Sequence, residues 1–507
     1  MLQAMHHATS QSEHEADGND SVADAVSTAR QAQSAWRETS VRERLAFVQA
    51  VRRALVASPR VWAEEITHAG VRSIADSLAA EVLPTADACR FLERNAVKIL
   101  RERSAPRRDR PIWGRSLTVR VRREPIGVVL VIGAGNYPLF LAGVQTLQAL
   151  TAGNAVLIKP SPGGSAPMRR LVQTLEQAGL PAGLVQVLDE SPATAERAIE
   201  LGVGRVVLTG SAATGRKVMA KAAETLTPCT MELSGCDAVF VLPGADLDRV
   251  AAALTFGLRL NGGATCIGPR RVFVTNGQAD ALIQRLRASL PTIQPTIVPA
   301  SVAHHTEQLI GEALDAGAKP IGGLSTAIDA NAFSPVVLEV PDVELRLLKA
   351  DLFAPVMSVV LMANADEALR LSRQCPYALG AGVFGPAGEA EAFADRVEAG
   401  CVTVNDLVAP TADPRVPFGG WNQSGYGVTR GAEGLLEMTR PKAVVSQRAG
   451  WLPHLDPPRN GLDRLIVGLL RMAHGSGLAE RWRGLRDVVA GARSKSTNMK
   501  YAKDSKE

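Results

Sequence analysis

VVLVIGAGNYPLF, residues 128–140, is the stretch on which the fold is read. Val128 to Ile132 is wholly apolar and runs straight into Gly133-Ala134-Gly135. A short apolar run bounded by glycine reads as a strand buried on both faces. A strand that feeds a glycine turn is how a dinucleotide-binding unit begins. Yet the sixth position of the G-x-G-x-x-G pattern is Pro138, and an amide, Asn136, stands just after the turn. The turn is therefore either a phosphate cradle without its third glycine or a rigid corner that presents one amide.

The same texture continues on the C-terminal side. Apolar runs at Ala155–Ile158, Leu184–Leu188 and Val206–Thr209 alternate with helix-length segments at Leu139–Leu150, Ala166–Ala178 and Ala193–Leu201. A second set of strands is expected at Ala238–Leu242, Arg271–Val274, Val336–Leu338, Val356–Leu361, Gly382–Phe384 and Cys401–Asn405. This alternation predicts an α/β fold of two doubly wound open-sheet domains in series, joined near Gly235. On the N-terminal side the pattern is helical from about Ser21 to Arg103, and the polar residues 1–20 are expected to be disordered. Leu117–Arg123 alternates apolar and basic residues, as a solvated edge or bridging strand does. No charge falls between Glu124 and Lys159, but Asn136, Pro138, Gln145, Gln148 and Asn154 interrupt that span. A buried strand-turn-helix-strand unit explains it better than a membrane-spanning helix.

Composition narrows the function. The 507 residues suffice for two or three domains, and 46% hydrophobic with 21% charged residues is ordinary for a globular protein. A net charge of +5 implies no nucleic-acid partner by itself. The six cysteines form no C-x-x-C pair and have no histidine cluster near them, so no metal site is expected. With no signal peptide visible, a reduced, cytoplasmic setting is the expectation.

Two further stretches carry chemistry. In NGGATCIGPRRVFV (Asn261–Val274), Cys266 sits among small residues directly before a strand, where a substrate carbonyl can approach its thiolate. In TMELSGCDAVFVL (Thr230–Leu242), Glu232 ends an apolar run beside Ser234-Gly235. Desolvation there raises a carboxylate pKa into the range of a general base. Asn136 offers an amide N–H on a rigid turn, as a developing oxyanion requires. The remaining cysteines, Cys89, Cys229, Cys236, Cys375 and Cys401, read as core or strand residues. Trp421 and Tyr426 read equally as pocket-mouth or packing residues.

Together these segments resemble the aldehyde dehydrogenase superfamily, over about Ala29 to Lys442. Gly135-Asn136-Tyr137-Pro138 is similar to the loop with the family's oxyanion asparagine. Ala152–Ser161, with Lys159 and Ser161, is similar to its coenzyme lysine segment. Leu208–Ser211 followed by Gly215 is similar to its pyrophosphate turn, with Gly210 and Ser211 at the corner. Glu232–Gly235 matches the general-base segment and Cys266 the nucleophile loop. Asp351-Leu-Phe353-Ala-Pro355-Val resembles E-x-F-G-P-V, and Pro417–Gly420 with Ser424-Gly425 resembles P-F-G-G-x-K-x-S-G. The resemblance answers the opening question: the first glycine turn presents Asn136 to the chemistry, and the phosphates belong near Gly210-Ser211.

What the resemblance implies is oxidation of an aldehyde to an acid with NAD or NADP. Cys266 would carry a thioester, Asn136 would hold the oxyanion, and Glu232 would activate water. Lys159 would bind the adenine-side ribose, and Asp351, with Phe353 nearby, the nicotinamide-side ribose. A homodimer or homotetramer is implied. The expected division is 21–104 with 124–235 for the cofactor and 236–418 for catalysis. Segments 105–123 and 419–450 would be bridging, and 451–507 a tail. A CoA-acylating enzyme and a catalytically silent scaffold are the alternatives; Glu232 speaks against the first and the full catalytic set against the second.

Departures from the family pattern fall around the core residues. Gly135 replaces a frequent Trp, Ala264 a frequent Gln, Asp351 the usual Glu, and Asn422 the late-loop Lys. Pro162 stands where NAD-preferring members often carry a Glu, so nothing there repels a 2′-phosphate. Beyond Lys442 the pattern fades. LDRLIVGLLRM (Leu462–Met472) and Leu478–Val489 have helical apolar spacing with arginines between, and Ser494–Glu507 is charged and expected to be disordered. A helix pair docked on the protein's own surface or on a neighbouring subunit, or a peripheral contact with a membrane or protein shell, is expected there.

Overall fold

Val128–Ile132 forms strand β1, and each of its residues is buried. This computed structural model describes residues 21–67, 72–106, 116–322, 332–341, 344–448 and 460–493, and isolated positions at 108, 110, 111, 114 and 455. The disorder expected for residues 1–20 and Ser494–Glu507 lies outside the described residues. The chain divides into a large unit, Met1–Leu100 with Glu124–Arg440, and a small one, Arg101–Arg123 with Pro441–Glu507.

In the large unit β1 is joined by β2 (Ala155–Lys159), β3 (Val185–Val187), β4 (Arg205–Gly210) and β5 (Cys229–Leu233). All pair in parallel, in the order β5-β4-β1-β2-β3. The runs are valine-, isoleucine- and leucine-rich because helices cover both faces. Successive connections leave β1 toward β2 and β3, then return to the other side through β4 and β5. The strand order therefore reverses between β1 and β4, and a ligand crevice opens at the carboxyl ends of such a sheet. Ile132, Lys159, Gly210 and Glu232 all lie at those ends.

The second sheet contains β6 (Asp237–Val241), β7 (Pro269–Thr275), β8 (Lys319–Pro320), β9 (Val336–Val340), β10 (Val356–Met362), β11 (Gly380–Phe384) and β12 (Cys401–Val404). Its order is β8-β9-β10-β7-β6-β11-β12, with only β8 antiparallel to its neighbour. Cys266 and Asp351–Phe353 precede β7 and β10. The chemistry-bearing residues thus gather where the strand ends of one sheet meet the strand starts of the other.

Part of the run expected to bridge, 419–450, pairs with the first sheet. A short strand, β13 (Gly425–Tyr426), pairs antiparallel with β5, with Gly425 opposite Glu232, and the large unit continues to Arg440. Gly425 has φ +102°, and a Cβ there would lie 1.9 Å from the Met231 carbonyl oxygen, so only glycine lets this run close on β5.

In the small unit Leu117–Pro125 lies between Arg103–Ser104 and Thr439–Gln447, so it is the middle strand of three rather than an edge. Its half-exposed alternation suits a thin sheet with solvent on both faces. Two helices, Leu462–His474 and Leu478–Arg493, form a hairpin.

Candidate active site

The loop around Cys266 is built on three consecutive left-handed residues, Asn261 (φ 52°), Gly262 (φ 60°) and Gly263 (φ 78°). A Cβ on Gly263 would lie 2.4 Å from the Pro355 nitrogen, so the loop can sit against Ala354-Pro355 only with glycine there. Behind it Arg270, buried at the start of β7, donates to the carbonyls of Gly263 (2.5 Å), Ala354 (2.9 Å), Val356 (3.3 Å) and Thr265 (3.4 Å). One guanidinium thus pins the nucleophile loop to β10. Gly235 completes the contact: a Cβ there would lie 2.8 Å from the Cys266 carbonyl oxygen.

Asn136 leaves β1 and meets the same loop. Its Nδ2 donates to the Ala264 carbonyl at 3.1 Å, and its own carbonyl accepts from Asn261 Nδ2 at 3.0 Å and from Arg72. Arg72 also donates to Asn261 Oδ1 at 2.9 Å, pairs with the fully buried Glu81 and stacks over the Tyr137 ring. Glu81 sits in a π-helical turn, Leu78–Val82, and accepts the Leu139 and Phe140 N–H groups at 2.7 and 3.0 Å. Burial raises its pKa, against the opposing pull of Arg72. The Tyr137 and Thr265 hydroxyls share a hydrogen bond of 2.7 Å. Asn136 and Cys266 are therefore held in one register by a buried ion pair and an amide ladder. One Asn136 amide hydrogen remains free, and so, among the described residues, does the Cys266 backbone N–H. Two such donors are what a tetrahedral oxyanion needs.

Glu232, 2% exposed, is the last residue but one of β5. Its Oε2 accepts the Thr429 hydroxyl at 2.6 Å, while Oε1 has no partner. Burial raises its pKa, and the Arg430 charge and the Thr429 hydroxyl pull the other way. The Cys266 thiol is also held up, first by burial and then by the negative charge of Glu232, with Arg430 opposing.

Two cavities meet at these groups, and both Cys266 and Glu232 line each of them. The larger, about 650 Å³, is walled by the β1 turn with Asn136, by Lys159, Ser161, Gly210 and Ser211, and by Asp351 and Phe353. Ser161 Oγ and Asp351 Oδ1 are buried there without partners. Burial lowers the pKa of Lys159 and raises that of Asp351. Ser211 caps the helix Ala212–Glu224 by accepting the Thr214 N–H at 3.2 Å, and that helix start faces the cavity. A helix N-terminus, a buried lysine and orphaned oxygens fit a long ligand with phosphate and ribose groups. The smaller cavity, about 220 Å³, has a different wall: Tyr137, Phe140, Leu141, Phe256, Leu260, Ile267 and Phe418, with Asp76 and Arg430. Arg430 stacks on Phe418 (4.2 Å) and Phe140 (5.3 Å) and donates to the Thr411 carbonyl at 2.6 Å.

Most residues read from the sequence line one cavity or both; Gly215 does not. It lies inside the helix after Ser211, where a Cβ would lie 2.8 Å from Leu233 Cδ1, so its part is close helix–strand packing. Pro162 does line the larger cavity. Trp421 and Tyr426 are exposed and line neither. Cys89, Cys236 and Cys375 are buried, whereas Cys229 and Cys401 are half-buried. Sequence reading missed Arg72, Glu81 and Arg270. The signals were weak: one acid on an otherwise apolar helical face, and an arginine pair opening a strand that reads as buried.

Comparison with known proteins agrees with this geometry. Residues 5–444 match the model of the aldehyde dehydrogenase family. The 4,4'-diapolycopene aldehyde oxidase of Methylomonas sp is 30% identical over 449 residues, covering 85% of this chain and 83% of its own. Vanillin dehydrogenase of Pseudomonas fluorescens is 34% identical over 346 residues, 64% of this chain and 70% of its own. The crystal structure of the NADP-dependent glyceraldehyde-3-phosphate dehydrogenase from Bacillus halodurans, complexed with NADP, superposes with a TM-score of 0.77 at 27% identity, covering 85% and 92% of the two chains.

Proposed function

The chain belongs to the aldehyde dehydrogenase family, and on that premise we propose that it oxidises an apolar aldehyde to the acid through a thioester on Cys266. The observation that carries this reading is the meeting of two unlike cavities at one thiol and one carboxylate. The aldehyde carbon approaches Cys266 from the smaller cavity. The Cys266 thiol first loses its proton to solvent; as the thiolate adds, charge develops on the carbonyl oxygen, and the free Asn136 amide hydrogen and the Cys266 N–H stabilise it. The larger cavity suits NAD or NADP: Lys159 and Ser161 for the adenine side, Gly210 and Ser211 for the pyrophosphate, Asp351 and Phe353 for the nicotinamide side. When bound, the nicotinamide supplies the hydride acceptor. Glu232, whose Oε1 is unpaired, takes a proton from water, and the hydroxide attacks the thioester carbonyl. Cys266 leaves as the thiolate.

That unpaired oxygen favours hydrolysis over acyl transfer to CoA, since a thiol acceptor needs no water-activating base. The aromatic and aliphatic lining favours aldehydes without charge near the carbonyl. The two relatives named for 4,4'-diapolycopene aldehyde and vanillin agree with that class. Pro162 leaves both nucleotides open. The exposed strand Thr439–Gln447, at the edge of its sheet, favours assembly into a homodimer or homotetramer. The test is nucleotide reduction with aromatic, polyene and short charged aldehydes, with each nucleotide, and without CoA. Saturable reduction by the apolar aldehydes alone, with an acyl group on Cys266 in acid-quenched samples, supports the reading. A CoA requirement, or an acyl group elsewhere, contradicts it.

A further inference from the structure

We propose that the C-terminal helical hairpin docks this protein on a bilayer surface bearing anionic headgroups. The proposal does not depend on the catalytic reading.

The hairpin leaves an apolar face uncovered. In the first helix Leu462, Ile466 and Leu470 recur at i, i+4 and i+8, and in the second Leu478, Trp482, Leu485 and Val489 recur at i, i+4, i+7 and i+11. All seven are exposed, Leu470 at 56%, Trp482 at 64% and Leu478 at 79%. They are not spare partners for each other, because the seam between the helices is already filled. A Cβ on Gly468 would lie 2.5 Å from the Val488 nitrogen, and one on Gly484 2.7 Å from the Gly468 carbonyl oxygen. The backbones therefore touch through glycine, and the large side chains point elsewhere. Asp487 locks the pair from the side, accepting from Arg464 at 3.1 Å and Arg471 at 2.6 Å.

Charge selects the occupant. Residues 460–493 hold six arginines against three acids. The acid Asp487 is already engaged, whereas Arg483, Arg486 and Arg493 are exposed and have no ion-pair partner among the described residues. Lys495, Lys500, Lys503 and Lys506 follow in the sequence, against Asp504 and Glu507. A second copy pressed on this face would bring like charges together, whereas anionic headgroups complement them. Leucine and tryptophan beside free arginines on a short amphipathic helix suit the interface plane. Helices of 13 and 16 residues are too short to cross the hydrocarbon core. The hairpin therefore lies on the bilayer.

The test is co-sedimentation of the full chain with vesicles of phosphatidylcholine alone and of phosphatidylcholine mixed with phosphatidylglycerol. Binding to the mixed vesicles only, weakening with added salt, is expected. Replacing Arg483, Arg486 and Arg493 together by Gln should weaken it on the order of a hundred-fold, roughly five-fold for each arginine. The double variant Leu470→Glu with Trp482→Glu should abolish it, and both variants should keep their aldehyde-dependent nucleotide reduction in solution, which reports that they fold. Equal binding to both vesicle types, or parent-like binding by both variants, would overturn the proposal. So would a wild-type chain that ignores vesicles while the double variant changes its sedimentation-equilibrium mass, which would make the face a contact between copies.

Discussion

The two cavities that meet at Cys266 differ in every respect except the residues they share. The larger carries placed polar groups: a buried lysine, orphaned Ser161 and Asp351 oxygens and a helix start. The smaller is walled by tyrosine, phenylalanine, leucine and isoleucine. A polar ligand with fixed phosphates needs placed donors, whereas an apolar one needs volume and area. On the proposed function the difference is a division of labour: one wall would hold a constant partner, the other would select a variable one, and Cys266 and Glu232 would serve both.

The comparison breaks most severely at the shared residues. Cys266→Ala should abolish nucleotide reduction, a loss of about 10⁴-fold or more, while nucleotide binding followed by fluorescence stays intact. Asn136→Ala should lower kcat about 10²–10³-fold with both KM values little changed, since it acts on charge present only in the transition state. Single-sided substitutions sharpen the contrast. Lys159→Ala should raise the nucleotide KM roughly ten-fold and leave the aldehyde KM alone; Phe256→Ala should do the reverse, by roughly ten-fold. A shift of both constants by either change would mean that the cavities are not independent.

The smallest effect concerns acidity. The Cys266 pKa is raised above the ordinary 9.0, so the ligand-free thiol is mostly protonated at neutral pH. Its alkylation by iodoacetamide should still be accelerating above pH 9. Glu232 contributes to that rise, so Glu232→Gln should speed alkylation a few-fold at fixed pH. A slower reaction in the variant would instead make Glu232 the base that ionises the thiol.

How far the sequence could be read followed the same divide. β1 was legible because an unbroken valine-leucine-isoleucine run beside glycine has few other folds open to it. Asn136, Glu232 and Cys266 lie at strand ends or on tight turns, where local residue types already state the geometry, whereas Lys159 and Gly210 were legible only through the resemblance to the family. The smaller cavity was not legible. Its wall is assembled from Tyr137, Phe256, Ile267, Val408 and Phe418, which lie far apart in the chain and carry the composition of any core. Arg72 and Glu81 were hidden for a related reason. Their meaning comes from a buried pair that reaches across to Asn136 and Asn261, and no local spacing encodes that contact.

The central claim is that one carboxylate on the seam between the cavities releases the acyl group made on Cys266. Rapid mixing of Glu232→Gln with aldehyde and saturating nucleotide tests it most directly. One equivalent of reduced nucleotide per site should form at near the parent rate, and turnover should then slow by about 10²–10⁴-fold with the acyl group retained on Cys266. Uninterrupted turnover at the parent rate would contradict the account.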